Sequence, residues 1–117
     1  MADSETNMRS ALAQTPHMRA LLGADFNQDW TLDWASVEDV LKERLDKADD
    51  VRKRALIRET ELLLGTLKSD EEVEALLDFM GSGLVPGIDF HEPPRAWLET
   101  LRDRLWSGIS DLDGNDG

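Results

Sequence analysis

Residues 69–81 read Ser-Asp-Glu-Glu-Val-Glu-Ala-Leu-Leu-Asp-Phe-Met-Gly, and this stretch decides the fold class. Ser69 followed three residues later by Glu72 has the form of a capping box, which satisfies orphan donors at a helix start. Val73, Leu76, Leu77 and Met80 then recur at i, i+3, i+4 and i+7, one apolar face of a 3.6-residue period. Gly81 supplies the stop. Glu71, Glu74 and Asp78 fall on the opposite face, so the segment predicts an amphipathic helix with an acidic outer stripe.

The same period extends in both directions. Upstream, Ala48-Asp49-Asp50 offers acidic caps to a helix over roughly 50–67, with Leu56, Thr60, Leu63, Leu64 and Leu67 as its stripe, widened by Val51, Ala55 and Leu62. Ser36 caps an earlier helix carrying Val37, Val40, Leu41 and Leu45. Thr15-Pro16 reads as an N-cap followed by proline at the first helical position, opening a short helix with Met18, Leu21 and Leu22 that stops at Gly23. Downstream of the Gly81–Pro93 loop, Pro93-Pro94 opens a last helix with Trp97, Leu98, Leu101 and Leu105 facing inward and an end near Gly108. The stretch from Ala24 to Ala35 has no period but is rich in large apolar side chains (Phe26, Trp30, Leu32, Trp34), so it predicts a loop that must pack. No segment alternates with period two, and Pro86 weakens a strand at Leu84-Val85-Pro86. The expected architecture is all-α, a compact bundle of about five helices with one packed aromatic loop. Residues 1–14 read as a flexible arm, 15–109 as a single helical domain and 110–117 as a flexible acidic tail.

A chain of 117 residues with 40% apolar content and four tryptophans is one domain with one core. The absence of cysteine excludes a disulfide framework and a thiolate zinc site. Met1-Ala2-Asp3-Ser4-Glu5 has neither the basic nor the apolar region of a secretory signal, so a cytosolic location is expected. No apolar run approaches the roughly 20 residues that span a bilayer. The net charge of −12 repels phosphate backbones and anionic lipid, so direct nucleic-acid and membrane binding are not expected. The same field attracts a basic protein; its bland counterpart is solubility alone.

The catalytic inventory is thin. His17 and His91 each lie near prolines at helix starts, and neither stands at i, i+4 from a ligand set such as His-Glu-x-x-His. Asp25, Asn27 and Asp29 match the first three ligand positions of a calcium loop. However, Trp30 stands where the loop needs glycine and Ser36 where it needs a bidentate glutamate. The tail from Asp111 to Gly117 ends before such a loop would close. No metal, no cofactor and no enzymatic activity are expected.

The charges are segregated. Asp25, Asp29, Asp33, Glu38 and Asp39 crowd Ala24–Asp39 without a lysine or arginine, and Asp70, Glu71, Glu72, Glu74, Asp78, Asp89 and Glu92 do the same over Ser69–Glu92. The bases gather elsewhere, notably at Arg52, Lys53, Arg54 and Arg58. Segregation favours a partner surface over an ordinary mixed solvated face, and the candidate contact residues are Asp33, Asp39, Glu71, Glu74 and Asp78. Trp34 and Trp106 are the aromatics to test for exposure, since tryptophan is a favoured interface anchor. Phe26, Trp30, Trp97 and Leu98 read as core anchors, and Gln28 and Asp29 as the polar groups that pin the aromatic loop to local backbone.

Phe26-Asn27-Gln28-Asp29-Trp30, followed by the helix that Ser36 opens, resembles the aromatic-x-Gln-Asp-Trp segment of the immunity proteins of bacterial contact-dependent growth inhibition systems. Glu59-x-x-x-Leu63-Leu64, an acidic helix ending in Gly81, a loop with Pro86 and the closing Ala96-Trp97-Leu98 helix follow in the same order. The resemblance covers roughly residues 18–106. In two places the chain departs from the pattern: Asp25 stands where tyrosine is frequent, and Ser82-Gly83-Leu84 where aromatic or cysteine residues are. The resemblance implies a small helical protein, kept in the bacterial cytoplasm, that binds the toxic C-terminal domain of an effector delivered by neighbouring cells. Such domains are commonly basic nucleases. The motif residues read as structural, which leaves the acidic surfaces as the contact candidates. The competing readings are an acidic helical adaptor or regulatory subunit, a nucleic-acid mimic that blocks another basic protein, and a small two-carboxylate hydrolase with a recruited metal.

Overall fold

The computed structural model describes residues 2–109, with side chains from residue 6 onward, and among these the chain is helical without a strand. The helices are α1 (Ala2–Gln14), α2 (Pro16–Arg19), α3 (Trp30–Asp33), α4 (Val37–Leu41), α5 (Asp50–Thr66), α6 (Asp70–Phe79) and α7 (Pro94–Ser107). Two of them continue directly into π-helical turns, α2 into Ala20–Asp25 and α4 into Lys42–Asp46. The fold class is as expected, with seven helices in place of about five.

Three of the predicted caps are made. Ser36 Oγ accepts the Asp39 N–H (3.2 Å), Asp49 Oδ1 the Arg52 N–H (2.8 Å) and Ser69 Oγ the Glu72 N–H (3.2 Å). Thr15 behaves differently. It is buried, and its hydroxyl donates back to the Ala11 carbonyl (2.7 Å) rather than capping α2. The donor at the start of α2 is satisfied from α5 instead, where buried Glu59 accepts the Met18 N–H through Oε1 (2.9 Å).

The structure corrects the expectation of a loose arm over 1–14: residues 2–14 form α1, which buries Ala11 and Leu12 and packs on α5 and α2. Gly23 is not a stop either. The helix runs through it to Asp25, and a Cβ at this position would lie 3.3 Å from the Met80 carbonyl oxygen. Glycine there lets the end of α6 approach α2's continuation. Val51, expected on the core stripe, is 79% exposed because it shares the i, i+3, i+7 line of Arg54 and Arg58 on the solvent side of α5. Leu32, expected to pack, is 81% exposed: α3 has only four residues, and Trp30 takes its inward face. Residues 110–117, the expected acidic tail, lie outside the described residues.

The core is organised on the α5–α7 pair, with α6 against α7 and α1 and α2 against α5. At one end an aromatic chain closes it. Trp30 meets Phe26 edge-on at 5.3 Å, Phe26 meets Trp97 at 6.5 Å, and Trp97 stacks on Phe90 at 4.2 Å. Such pairs add about 0.5–1.5 kcal/mol each beyond the area they bury. Two long cations stitch helix ends together. Buried Lys53 donates to the Gly108 carbonyl (2.8 Å) at the C-terminus of α7, and Arg95 donates to the Leu64 (2.8 Å) and Leu67 carbonyls at the end of α5. Both place positive charge where the helix dipole favours it.

Candidate partner-binding surface

The Phe26–Trp30 loop is fixed by contacts far away in sequence. Gly83 N–H donates to the Phe26 carbonyl (2.7 Å), Gln28 Nε2 to the Ser82 (3.0 Å) and Gly81 (3.3 Å) carbonyls, and Trp30 Nε1 to the Gly83 carbonyl (3.4 Å). Gln28 thus bonds the chain that follows α6 rather than the neighbouring backbone expected of it. Asn27, not Asp29, makes the local bond: its Oδ1 accepts the Asp29 N–H (2.7 Å), while the Asp29 carboxylate is exposed and unengaged. This seam brings the two acidic stretches, 24–39 and 69–92, together at the C-terminal end of α6.

Within those stretches the acids fall into two groups. Asp25 pairs with Arg44 (3.2 Å), and Asp70 accepts the Arg95 N–H (3.0 Å). Asp89 accepts the Val85 N–H (2.7 Å) and Glu92 the Thr100 hydroxyl (2.7 Å). Glu38 joins Asp46 on Arg104: Nη1 and Nη2 reach Glu38 at 2.9 and 2.7 Å, and Nε and Nη2 reach Asp46 at 2.8 and 2.7 Å. These bonds from Arg104 hold both carboxyl groups below their ordinary range and push the guanidinium up, mainly through Asp46. Those acids are structural. The carboxylates of Asp33, Asp39, Glu71, Glu74 and Asp78 are exposed and make no hydrogen bond or ion pair among the described residues.

Glu71, Glu74 and Asp78 line the outer face of α6, opposite buried Val73, Leu76 and Leu77. Glu74 and Asp78 repel at i, i+4, and Asp78 stands in the last turn, where the dipole disfavours an anion. Trp34 is half-buried, with the Arg44 guanidinium 5.4 Å over its ring. Trp106 is 36% exposed, on the outer side of α7. His17 Nδ1 lies 2.5 Å from Glu59 Oε2. Among the described residues no three His, Cys, Asp or Glu side chains come together in a way that would hold a metal ion, and no helix is long and apolar enough to cross a membrane.

Of the motif residues, Phe26, Trp30, Leu63, Trp97 and Leu98 share one buried cluster, Gln28 ties the aromatic loop to the chain after α6, and Glu59 holds the start of α2 from α5. The model of one protein family, described as CdiI immunity protein, matches residues 14–105. The chain belongs to the CdiI immunity protein family. Neither a curated protein sequence nor a solved structure matches it. Membership makes the chain an immunity protein, whose partner is a toxin. The matched span runs from the end of α1 to the last turn of α7 and holds the whole aromatic chain, including Phe90, which the sequence leaves unremarked inside the Gly81–Pro93 loop.

Proposed function

We propose that the chain neutralises the toxic C-terminal domain of a contact-dependent growth inhibition effector by binding it, and that this domain is a basic nuclease. The family match over residues 14–105 carries the reading. The contact surface is the acidic side built from Glu71, Glu74 and Asp78 on α6 and Asp33 and Asp39 beside the aromatic loop, with Trp34 at its edge. In support, these five carboxylates, like that of Asp29, have no partner among the described residues, whereas those of Asp25, Glu38, Asp70, Asp89 and Glu92 do. A stripe that costs its own helix a few tenths of a kcal/mol has its return elsewhere. An acidic inhibitor covers the phosphate-binding surface of a nuclease and is steered to it by long-range attraction. The reading places the chain in the bacterial cytoplasm, with no cofactor and no direct contact to nucleic acid.

The test is the triple substitution Glu71→Lys, Glu74→Lys, Asp78→Lys. All three positions are exposed, so the melting temperature is expected to stay close to that of the wild type. Association with the toxin domain encoded immediately upstream is expected to slow about tenfold or more at low salt. Unchanged association would remove α6 from the interface.

A further inference from the structure

The opposite charge is gathered on α5. A groove of about 550 Å³ runs along its N-terminal half, lined by His17, Val51, Arg52, Arg54, Ala55 and Arg58. Its one acid, Asp49, is committed to capping the helix. Arg54 and Arg58 also line a neighbouring recess of about 290 Å³ with Ile57, Glu61 and Trp106, so the groove continues past one acid to an exposed aromatic edge.

Three features set this surface apart. The chain carries 25 acids against 13 lysines and arginines, yet the guanidinium groups of Arg52 and Arg58 make no hydrogen bond or ion pair among the described residues. Arginines near the start of a helix oppose its dipole, and Arg54 and Arg58 repel at i, i+4. Finally, Val51, which lines the groove, is 79% exposed. Arginine beside tryptophan and an exposed apolar side chain is the composition of interface hot spots.

We propose that this groove is a second contact surface for the same toxin, one that holds a carboxylate-bearing segment of it; the proposal rests on the immunity reading above. The acidic side alone would attract any basic protein. A basic partner without an acidic segment at the right place leaves desolvated guanidinium groups unpaired, which rejects it. The acidic side therefore sets the rate of capture and the arginine groove sets which toxin is kept.

The two effects have opposite signs in one variant. Arg52→Glu with Arg58→Glu changes the charge by two units per site, from −12 to −16, which by steering alone speeds association with a basic toxin. Binding kinetics of the upstream-encoded toxin domain are measured for the wild type, this variant and the neutral pair Arg52→Gln with Arg58→Gln. The expected result is dissociation about tenfold faster or more in both variants, with association equal or faster. Binding as tight as or tighter than wild type would overturn the groove's role. So would binding of a short RNA oligonucleotide or inorganic phosphate to the wild type that Arg52→Glu/Arg58→Glu abolishes, since the groove would then be a phosphate site. No complex even with the wild-type chain would sink the immunity reading, and the groove assignment with it.

Discussion

Gly83 is the position where the fold is least tolerant of a single added methyl group. A Cβ there would lie 2.2 Å from the Asn27 carbonyl oxygen, 2.9 Å from the Asn27 carbonyl carbon and 3.0 Å from Gln28 Cα, all backbone atoms that cannot swing away. To reach the 3.0–3.4 Å of the tightest real contacts the two segments must part by about 1 Å. That movement breaks the Gly83 N–H to Phe26 bond and stretches the Gln28 and Trp30 bonds that share the seam. One lost backbone hydrogen bond costs about 1 kcal/mol and forced overpacking about 1–3 kcal/mol, so Gly83→Ala is expected to cost about 2–4 kcal/mol. At about 4 °C per kcal/mol for a domain of this size, the Tm falls by roughly 8–16 °C. Gly65 is the control. It lies near the end of α5 with nothing within 4 Å of a built Cβ, so Gly65→Ala is expected to add about 0.5–1 kcal/mol. Thermal unfolding followed by circular dichroism should show the two alanines moving the Tm in opposite directions. A Gly83→Ala protein melting within about 2 °C of wild type would refute the reasoning that the loop–α6 seam is rigid.

Arg104→Ala should destabilise by about 1 kcal/mol at neutral pH, a modest figure because Glu38 and Asp46 are each about half exposed. Both carboxyl pKa values are depressed in the folded state, so their contribution is present above the ordinary 4.5 and 3.8 and is lost as pH falls through the lower folded values. The urea midpoints of wild type and Arg104→Ala should therefore converge in acid; a gap that persists at pH 2 would contradict the assignment. Glu59→Leu strands the buried Met18 N–H and is expected to cost about 2–3 kcal/mol. Glu59→Gln keeps the acceptor and should cost less than Glu59→Leu in the same denaturant titration.

The legible parts of this fold are those with a local signal. Ser36, Asp49, Ser69 and the Pro93-Pro94 pair each mark a helix start, and the 3.6-residue stripes of α5, α6 and α7 follow them directly. Trp30 and Trp97, distant in sequence, are both readable as core because large aromatics near a short period have nowhere else to go. What was not legible depends on tertiary contact. The helix α1 has few apolar positions, and its burial of Ala11 and Leu12 comes from α5 rather than from a strong stripe of its own. Gly23 looks like a stop in sequence, and only the approach of Met80 shows it to be a contact. The candidate site was legible as a list of acids but not as a surface. Sequence alone does not distinguish Glu38, held by Arg104, from Asp39, which holds nothing. The groove on α5 was visible only as a run of bases, without exposed Val51 along it and its edge at Trp106.

The central claim is neutralisation of a toxin, and co-expression with the toxin domain encoded immediately upstream tests it most directly, scoring cell survival and co-purification together. The account predicts that cells survive and that the two proteins purify as a stable one-to-one complex. Cell death with nothing bound to the chain would contradict it.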